Sequence, residues 1–231
     1  MIEVRKASDR GHTQNDWLDS YHSFAFGRYV DPERMGFRSL RVINEDVFAP
    51  LRGFGMHPHD NMEILTYVLS GQLRHEDSLG HSGVLHAGQW QRMTAGTGIM
   101  HSESNPSAHE PVHFYQIWIS PNQRDLSPGY AQLPARDPAK NRWSLIAASE
   151  SAGGLLTIHQ DARLYQAVLE PPAILELPIE PGYGVWVQVV SGVFDVNGFY
   201  VERSDGAAIE AEAELRVSAV ESGSVLVFVL A

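Results

Sequence analysis

Apolar positions in this chain come in short runs punctuated by Gly, Pro, Asn and Asp: Leu40–Ile43, Glu63–Leu69, His113–Ile119, Val185–Val190 and Val225–Leu230. They are rich in β-branched and aromatic side chains, and their lengths suit strands, not helices. Helical patterning is scarce. Asp31-Pro32-Glu33-Arg34-Met35 is expected to make one helical turn, with Asp31 as cap and Pro32 at the first helical position. The pattern predicts an all-β protein.

A weak internal repeat refines that expectation. Val68-Leu69-Ser70-Gly71 is echoed by Val189-Val190-Ser191-Gly192, and each is followed by polar strand text and a second glycine turn, at Gly88 and Gly206. The natural reading is two copies of one β-barrel unit. Sliding the copies on the Ser-Gly pair sets Pro178, Glu180 and Gly184 opposite His57, His59 and Glu63; aligning the glycine turns sets Ala219 and Glu221 opposite His101 and Glu103. The second copy therefore lacks every imidazole of the first. Ser127–Pro138 packs three prolines into twelve residues, which suits a connector. The expected domains are 1–130 and 131–231.

Composition narrows the chemistry. A 231-residue chain with 43% hydrophobic and 19% charged residues is globular, and its length fits one large or two small domains. The net charge of -11 repels phosphate backbones and anionic surfaces, so neither nucleic acid nor a membrane is an expected direct partner. No cysteine is present, which removes disulfides, thiolate metal sites and a cysteine nucleophile. With no basic N-region before an apolar stretch and no long apolar run, a cytoplasmic protein is expected. Ten of the eleven histidines lie between His12 and His113, so the chemistry is expected in the first half. The second half is the more acidic, net -7 against -4 for residues 1–130, and reads as a solvated scaffold.

Within the first half, two segments carry ligand spacing. In Gly53–Glu63, His57 and His59 flank Pro58; on a strand, residues i and i+2 share a face about 6.6–7 Å apart, close enough for two imidazoles to meet one cation. Pro58 has no amide hydrogen to donate, so this segment belongs at a strand start or an edge. In Gly96–Asn105, His101 and Glu103 repeat the spacing. Together the pairs offer three nitrogens and one carboxylate; the bland alternative is a satisfied core histidine beside a surface acid. A sulfur-free set of this kind suits iron(II), manganese(II), nickel(II) or copper(II) better than a closed structural zinc site, and an octahedral ion would keep two positions open.

These two segments resemble the two motifs of the cupin superfamily, and the longer text resembles the pirin family. The matching stretches are Arg10-Gly11, Trp17–Phe26, Asp31-Pro32, Leu40–Asn44, His57–Gly71, His75–Gly80 and Met93–Glu103. They cover the first 120 residues almost continuously, and the similarity weakens after about residue 130. The resemblance implies a bicupin: two antiparallel jelly-roll β-barrels, of which only the N-terminal one holds a metal. It implies one ion per chain, Fe(II) first and Mn, Ni, Cu or Zn as alternatives, on His57, His59, His101 and Glu103. Two features depart from the general cupin pattern: Ile64 stands where an acidic ligand is common, with Glu63 one residue early, and Gly96 stands where proline is common.

The short bacterial pirins that the chain most resembles are described as quercetinases. The implied activity is therefore that of a quercetin 2,3-dioxygenase, cleaving a flavonol with dioxygen and releasing carbon monoxide, with Glu103 also the base for the flavonol hydroxyl. A monomer is expected. The competing expectations are an iron-dependent, redox-responsive regulator that binds a protein partner, and a cupin isomerase or hydrolase with a metal that need not change oxidation state. Around the site, His22, Phe24 and Phe26 alternate as on one strand face, either a wall for a planar ligand or ordinary core packing. Phe114, Gln116 and Trp118 alternate likewise, and Gln116 is expected to orient something in the pocket. Met93 reads as pocket floor or plain core. His75, before Glu76-Asp77, is expected near the mouth or on a solvated strand; His12, His81, His86, His109 and His113 have no partner at ligand spacing.

Overall fold

A computed structural model describes residues 1–134 and 139–231. The expected connector Ser127–Pro138 lies partly outside the described residues, and its described part contains a strand. The first strand, β1 (Ile2–Arg5), is followed by β2 (Gly11–Gln14), β3 (Leu18–His22), β4 (Leu40–Phe48), β5 (Gly53–His59) and β6 (Glu63–Ser70). Next come β7 (Gln72–Asp77), β8 (Ser82–His86), β9 (Trp90–Thr94), β10 (Ile99–Ser104), β11 (Val112–Ile119) and β12 (Gly129–Leu133). The later strands are β13 (Ser144–Ala148), β14 (Leu156–Thr157), β15 (Ala162–Leu169), β16 (Ile174–Pro178) and β17 (Gly184–Ser191). They continue with β18 (Val193–Val196), β19 (Phe199–Glu202), β20 (Gly206–Ile209), β21 (Glu214–Ala219) and β22 (Gly223–Leu230). Each apolar run singled out in the sequence lies on a strand. Asp31–Met35 forms a turn and not a helix, with the Arg34 amide on the Asp31 carbonyl and the Glu33 amide on the Asp31 side chain.

Two compact units emerge. One comprises Gly11–Asp137 with Ile158–Gln160, and the other Met1–Arg10, Pro138–Thr157 and Asp161–Ala231. The boundary read near residue 130 falls inside β12, which pairs with β9, while β1 pairs with β20. Each unit sets a seven-stranded sheet against a four-stranded one. In the first unit the orders are β12-β9-β6-β11-β4-β3-β2 and β5-β10-β7-β8; in the second, β1-β20-β17-β22-β15-β13-β14 and β16-β21-β18-β19. The expected closed barrels are not found: the ladders end at edge strands and the sheets form open sandwiches. A sheet closes only when its last strand finds the first, and here short edge strands stop the ladder first.

The core of the first unit joins both sheets, with Leu18, Phe48, Val68 and Phe114 from the large sheet meeting Leu73 and Leu85 from the small one. Along β10 and β7 burial alternates strictly, so each presents one face inward. The second unit repeats the topology with an aliphatic interior of Val187, Val196, Leu215 and Val217. Here the structure corrects the repeat alignment. Glu103 pairs with Phe54 and His75, and the equivalent ladder position, paired with Leu175 and Val196, is Val217 and not Glu221. Leu215 then takes the place of His101, two residues before. Two of the four residues of slip arose because Gly206 opens β20, whereas the residue with the left-handed turn conformation is Ser204, at φ +66°; the other two reflect a shorter path from that turn to Val217 than from Gly88 to Glu103.

One expected departure from the cupin pattern has a direct cause. Gly96 has φ +50°, which proline, fixed near -65°, cannot adopt, and a Cβ there would lie 2.0 Å from the Leu126 carbonyl oxygen. Gly96→Ala is expected to cost about 1–3 kcal/mol, hence about 2–4 °C of melting temperature per kcal/mol, and thermal melting checks it.

Candidate metal centre

The small sheet of the first unit builds the site. Strands β5 and β10 pair antiparallel with His57 opposite His101, and β10 pairs with β7 so that His101 faces Asp77 and Glu103 faces His75. A register shift between His101 and Glu103 marks a bulge. Bulges re-aim side chains, and this one sits between two candidate ligands. The strands also approach closely: a Cβ on Gly53 would meet the Glu103 carbonyl oxygen at 2.2 Å, so only glycine fits there.

Candidate ligand atoms of His57, His59 and His101 lie within 4.8 Å of one another, and so do those of His75, His101 and Glu103. His101 is common to both clusters. The imidazole centroids of His57 and His59 are 4.4 Å and 5.0 Å from that of His101. His57 Nδ1 lies 2.8 Å from the Gly55 carbonyl and donates to it, which leaves Nε2 as the free lone pair. His101 is buried and neither of its ring nitrogens has a hydrogen-bond partner among the described residues. Buried polar atoms are rarely left so, and a cation would satisfy one of them. Burial, reinforced by the neighbouring imidazoles, pushes His59 down to about 4 and His101 to about 3, so both are neutral donors at neutral pH. Three imidazole nitrogens and a carboxylate fit a divalent transition metal.

Glu103 is buried, and burial pushes its carboxyl above the usual range against opposing hydrogen bonds. Gln116 Nε2 donates to Oε2 at 2.5 Å, and Gln91 Nε2 and Thr66 Oγ1 lie 3.1 and 3.3 Å from Oε1. Thr66 also donates to Gln116 Oε1 at 2.7 Å, and Tyr130 donates to Gln91 Oε1 at 3.1 Å. These side chains come from β6, β9, β11 and β12, so four strands of the large sheet fix one carboxylate of the small one. Gln116 thus does orient a neighbour, as a buried amide should.

A cavity of about 570 Å³ opens beside the ligands and is lined by His57, His59 and Glu103 on one side. Trp118 stands edge-on to His59 at 4.9 Å, Phe26 edge-on to Trp118 at 5.5 Å, and His22 lies 5.3 Å from Phe26. His22, Phe26, Gln116 and Trp118 line the cavity; Phe24 and Met93 do not. The three-residue wall fails because β3 ends at His22, after which Ser23 and Ala25 donate to Ile43 and Arg34 and the alternation is lost. Met93 packs with Ile64, Ala95 and Ile99, and Phe114 joins the main core.

Other residues gain partners that spacing did not reveal. His75 is fully buried, stacks on Tyr130 at 4.6 Å and has Nε2 3.3 Å from Asp77 Oδ2, so it is neither at the mouth nor solvated. Its pairing opposite Glu103 depends on the β7–β10 register. Glu63 accepts from Thr94 at 2.9 Å and from His159 Nδ1 at 2.7 Å, which occupies the early carboxylate elsewhere. His113 meets Glu45 at 3.0 Å and His12 meets Asp19 at 2.6 Å.

A sandwich of this topology, with three inward imidazoles and a clamped carboxylate beside a cavity, defines a protein of the cupin class. Residues 3–119 match the Pirin family model, and residues 145–230 match the model of the quercetinase C-terminal cupin domain. The chain belongs to the pirin family. It is 45% identical over 228 residues to the quercetin 2,3-dioxygenase of Escherichia coli strain K12, covering 99% of this chain and 98% of that protein. The structure of the bacterial pirin YhhW from Escherichia coli in complex with nickel(II) superposes with a TM-score of 0.95 at 45% identity, covering 100% of this chain and 99% of that one. A quercetin 2,3-dioxygenase structure from Acinetobacter baumannii, 21% identical with a TM-score of 0.82, covers 98% of this chain and 85% of that one and shares the fold. No helix among the described residues is long and apolar enough to cross a membrane.

Neutral buried imidazoles have a cost in acid. Unfolded imidazoles titrate near 6.5, whereas His59 and His101 resist protonation down to about 4 and 3. The unfolded state therefore binds more protons between those values, and stability falls as the pH drops through that window. Metal-free protein is expected to melt at lower temperature as the pH falls from about 6.5 towards 4, and His101→Gln is expected to flatten that slope in pH-dependent melting curves.

Proposed function

We propose that this chain is a quercetin 2,3-dioxygenase in which His57, His59, His101 and Glu103 hold one divalent ion, iron(II), and a flavonol occupies the adjoining cavity. The carrying observation is the convergence of the His57, His59 and His101 imidazoles, with His101, which has no hydrogen-bond partner among the described residues, also within ligand reach of the clamped Glu103 carboxylate, at the wall of an aromatic cavity. The whole-chain similarity to a quercetin 2,3-dioxygenase supports the substrate class. When bound, such an ion supplies a Lewis-acidic position for the flavonol hydroxyl and carbonyl oxygens and a path for charge towards dioxygen.

The chain's own residues do the rest. Trp118 and Phe26 offer apolar ring surfaces to a planar ligand and exclude water from the reacting end. Glu103 takes the flavonol hydroxyl proton on a carboxylate oxygen, and its upward shift by burial makes it a better acceptor than an exposed glutamate. Gln116, Gln91 and Thr66 keep that carboxylate aimed while it gains and loses the proton. We assign the metal to the first unit and read the second as a cupin-like domain without ligands, since Leu215 and Val217 stand where His101 and Glu103 would. Two such units in one chain make the bicupin arrangement.

His57→Ala combined with His101→Ala is expected to abolish stoichiometric metal while the circular dichroism of the fold persists; full metal content in that variant overturns the ligand set. In oxygen-electrode assays, the zinc-loaded protein is expected to bind flavonol without consuming oxygen, and Glu103→Gln to slow turnover of the iron form by about 10²-fold or more. Equal oxygen uptake by the zinc and iron forms contradicts the redox role.

A further inference from the structure

One wall of the cavity is polar in a way that the chemistry at the metal does not use. Asn44 and Asp46 on β4 point to one face, with Ser20 and His22 opposite them on β3 and Thr13 beyond on β2. All five line the cavity. Strands lie about 4.8 Å apart, so this row extends about 5, 10 and 14 Å from Gln116, which faces Asn44 on β11. The row starts where Glu103 is held and leads away from it.

Most hydrogen-bonding capacity in the row is already spent internally. His22 Nδ1 donates to Asn44 Oδ1 at 2.8 Å, its Nε2 accepts from Thr13 Oγ1 at 2.9 Å, and Ser20 Oγ donates to Asp46 Oδ1. Two polar atoms are left over. Asp46 Oδ2 and Asn44 Nδ2 have no partner among the described residues, although the two residues are only 3% and 2% exposed. An acceptor and a donor, each nearly removed from water and each on a cavity-lining side chain, await a ligand that supplies both. Burial, with the charges of Glu103 and Glu45 adding to it, pushes the Asp46 carboxyl up to about 7, so near neutral pH it can accept or donate.

We propose that Asp46 and Asn44 form a hydroxyl-recognition subsite, which binds phenolic hydroxyls of the ligand other than the one that reacts at the metal centre. The inference rests on the flavonol reading and makes it specific: the preferred substrates are polyhydroxylated, not bare, flavonols. A phenol supplies a donor for Asp46 Oδ2 and an acceptor for Asn44 Nδ2, whereas an unsubstituted ring leaves both buried groups unpaired. Sites built around buried polar groups reject analogues that lack the partner.

Titration of the zinc-loaded full-length protein with quercetin and with 3-hydroxyflavone, which keeps the reacting hydroxyl and carbonyl but has no other hydroxyl, tests this without turnover. Wild type is expected to bind quercetin about tenfold or more tightly. Asp46→Ala and Asn44→Ala are each expected to shrink that ratio, Asp46→Ala to within about twofold; melting curves show which variants are folded, and either one suffices. Equal affinities in wild type, or an undiminished ratio in a folded variant, overturn the subsite while leaving the flavonol reading intact. Failure of both flavonols to bind wild type overturns the flavonol reading and the subsite with it.

Discussion

An imidazole with no hydrogen-bond partner, sealed inside a β-sandwich, is the constraint around which this site is arranged. His101 sits between β5 and β7, where a ladder neighbour on one side is another imidazole and on the other a carboxylate already engaged by His81. Leaving both of its nitrogens unpaired forfeits the compensation that buried polar groups normally require. The Glu103 carboxylate beside it is by contrast held from the large sheet. Glu103 accepts from Gln116 and Gln91 of the large sheet, Thr66 gives its hydroxyl hydrogen to Gln116, and Tyr130 extends the network through Gln91. A cation between the imidazoles and the carboxylate would take the lone pair of one His101 nitrogen, which the network omits.

The same interior divides into regions by chemistry. The core beneath Leu18, Phe48 and Phe114 is apolar and holds the sheets together. The strip from Asn44 to Thr13 is hydrogen-bonded across neighbouring strands, and rings from His59 to Phe26 border the same cavity. Low dielectric makes each unpaired polar atom in such a cavity selective, because a ligand without the matching group leaves it desolvated. Recognition and catalysis can thus use neighbouring walls of one cavity.

The second unit shows the alternative solution on the same topology. Where the first unit places His101 and Glu103, the second places Leu215 and Val217, both fully buried, and its interior needs no polar network. Inward polar side chains in a β-sandwich are expensive, and the second unit does without them at these two positions.

Much of this was legible in the amino-acid order. Period-2 alternation depends only on local backbone geometry, so the strands and the inward pairs His57/His59 and His101/Glu103 could be read directly. Motif spacing tied the chain to its family for the same reason. What lay beyond reach was everything set by register between distant strands: His75 opposite Glu103, Thr66 and Gln91 on its carboxylate, Asn44 and Asp46 on the cavity wall, and the true counterpart of Glu103 at Val217. The wall read from His22, Phe24 and Phe26 failed because tertiary contacts ended the strand at His22. A sequence states which side chains share a strand face; only pairing in three dimensions states which faces meet, because ladder partners far apart in the chain are chosen by the packing of the whole sandwich.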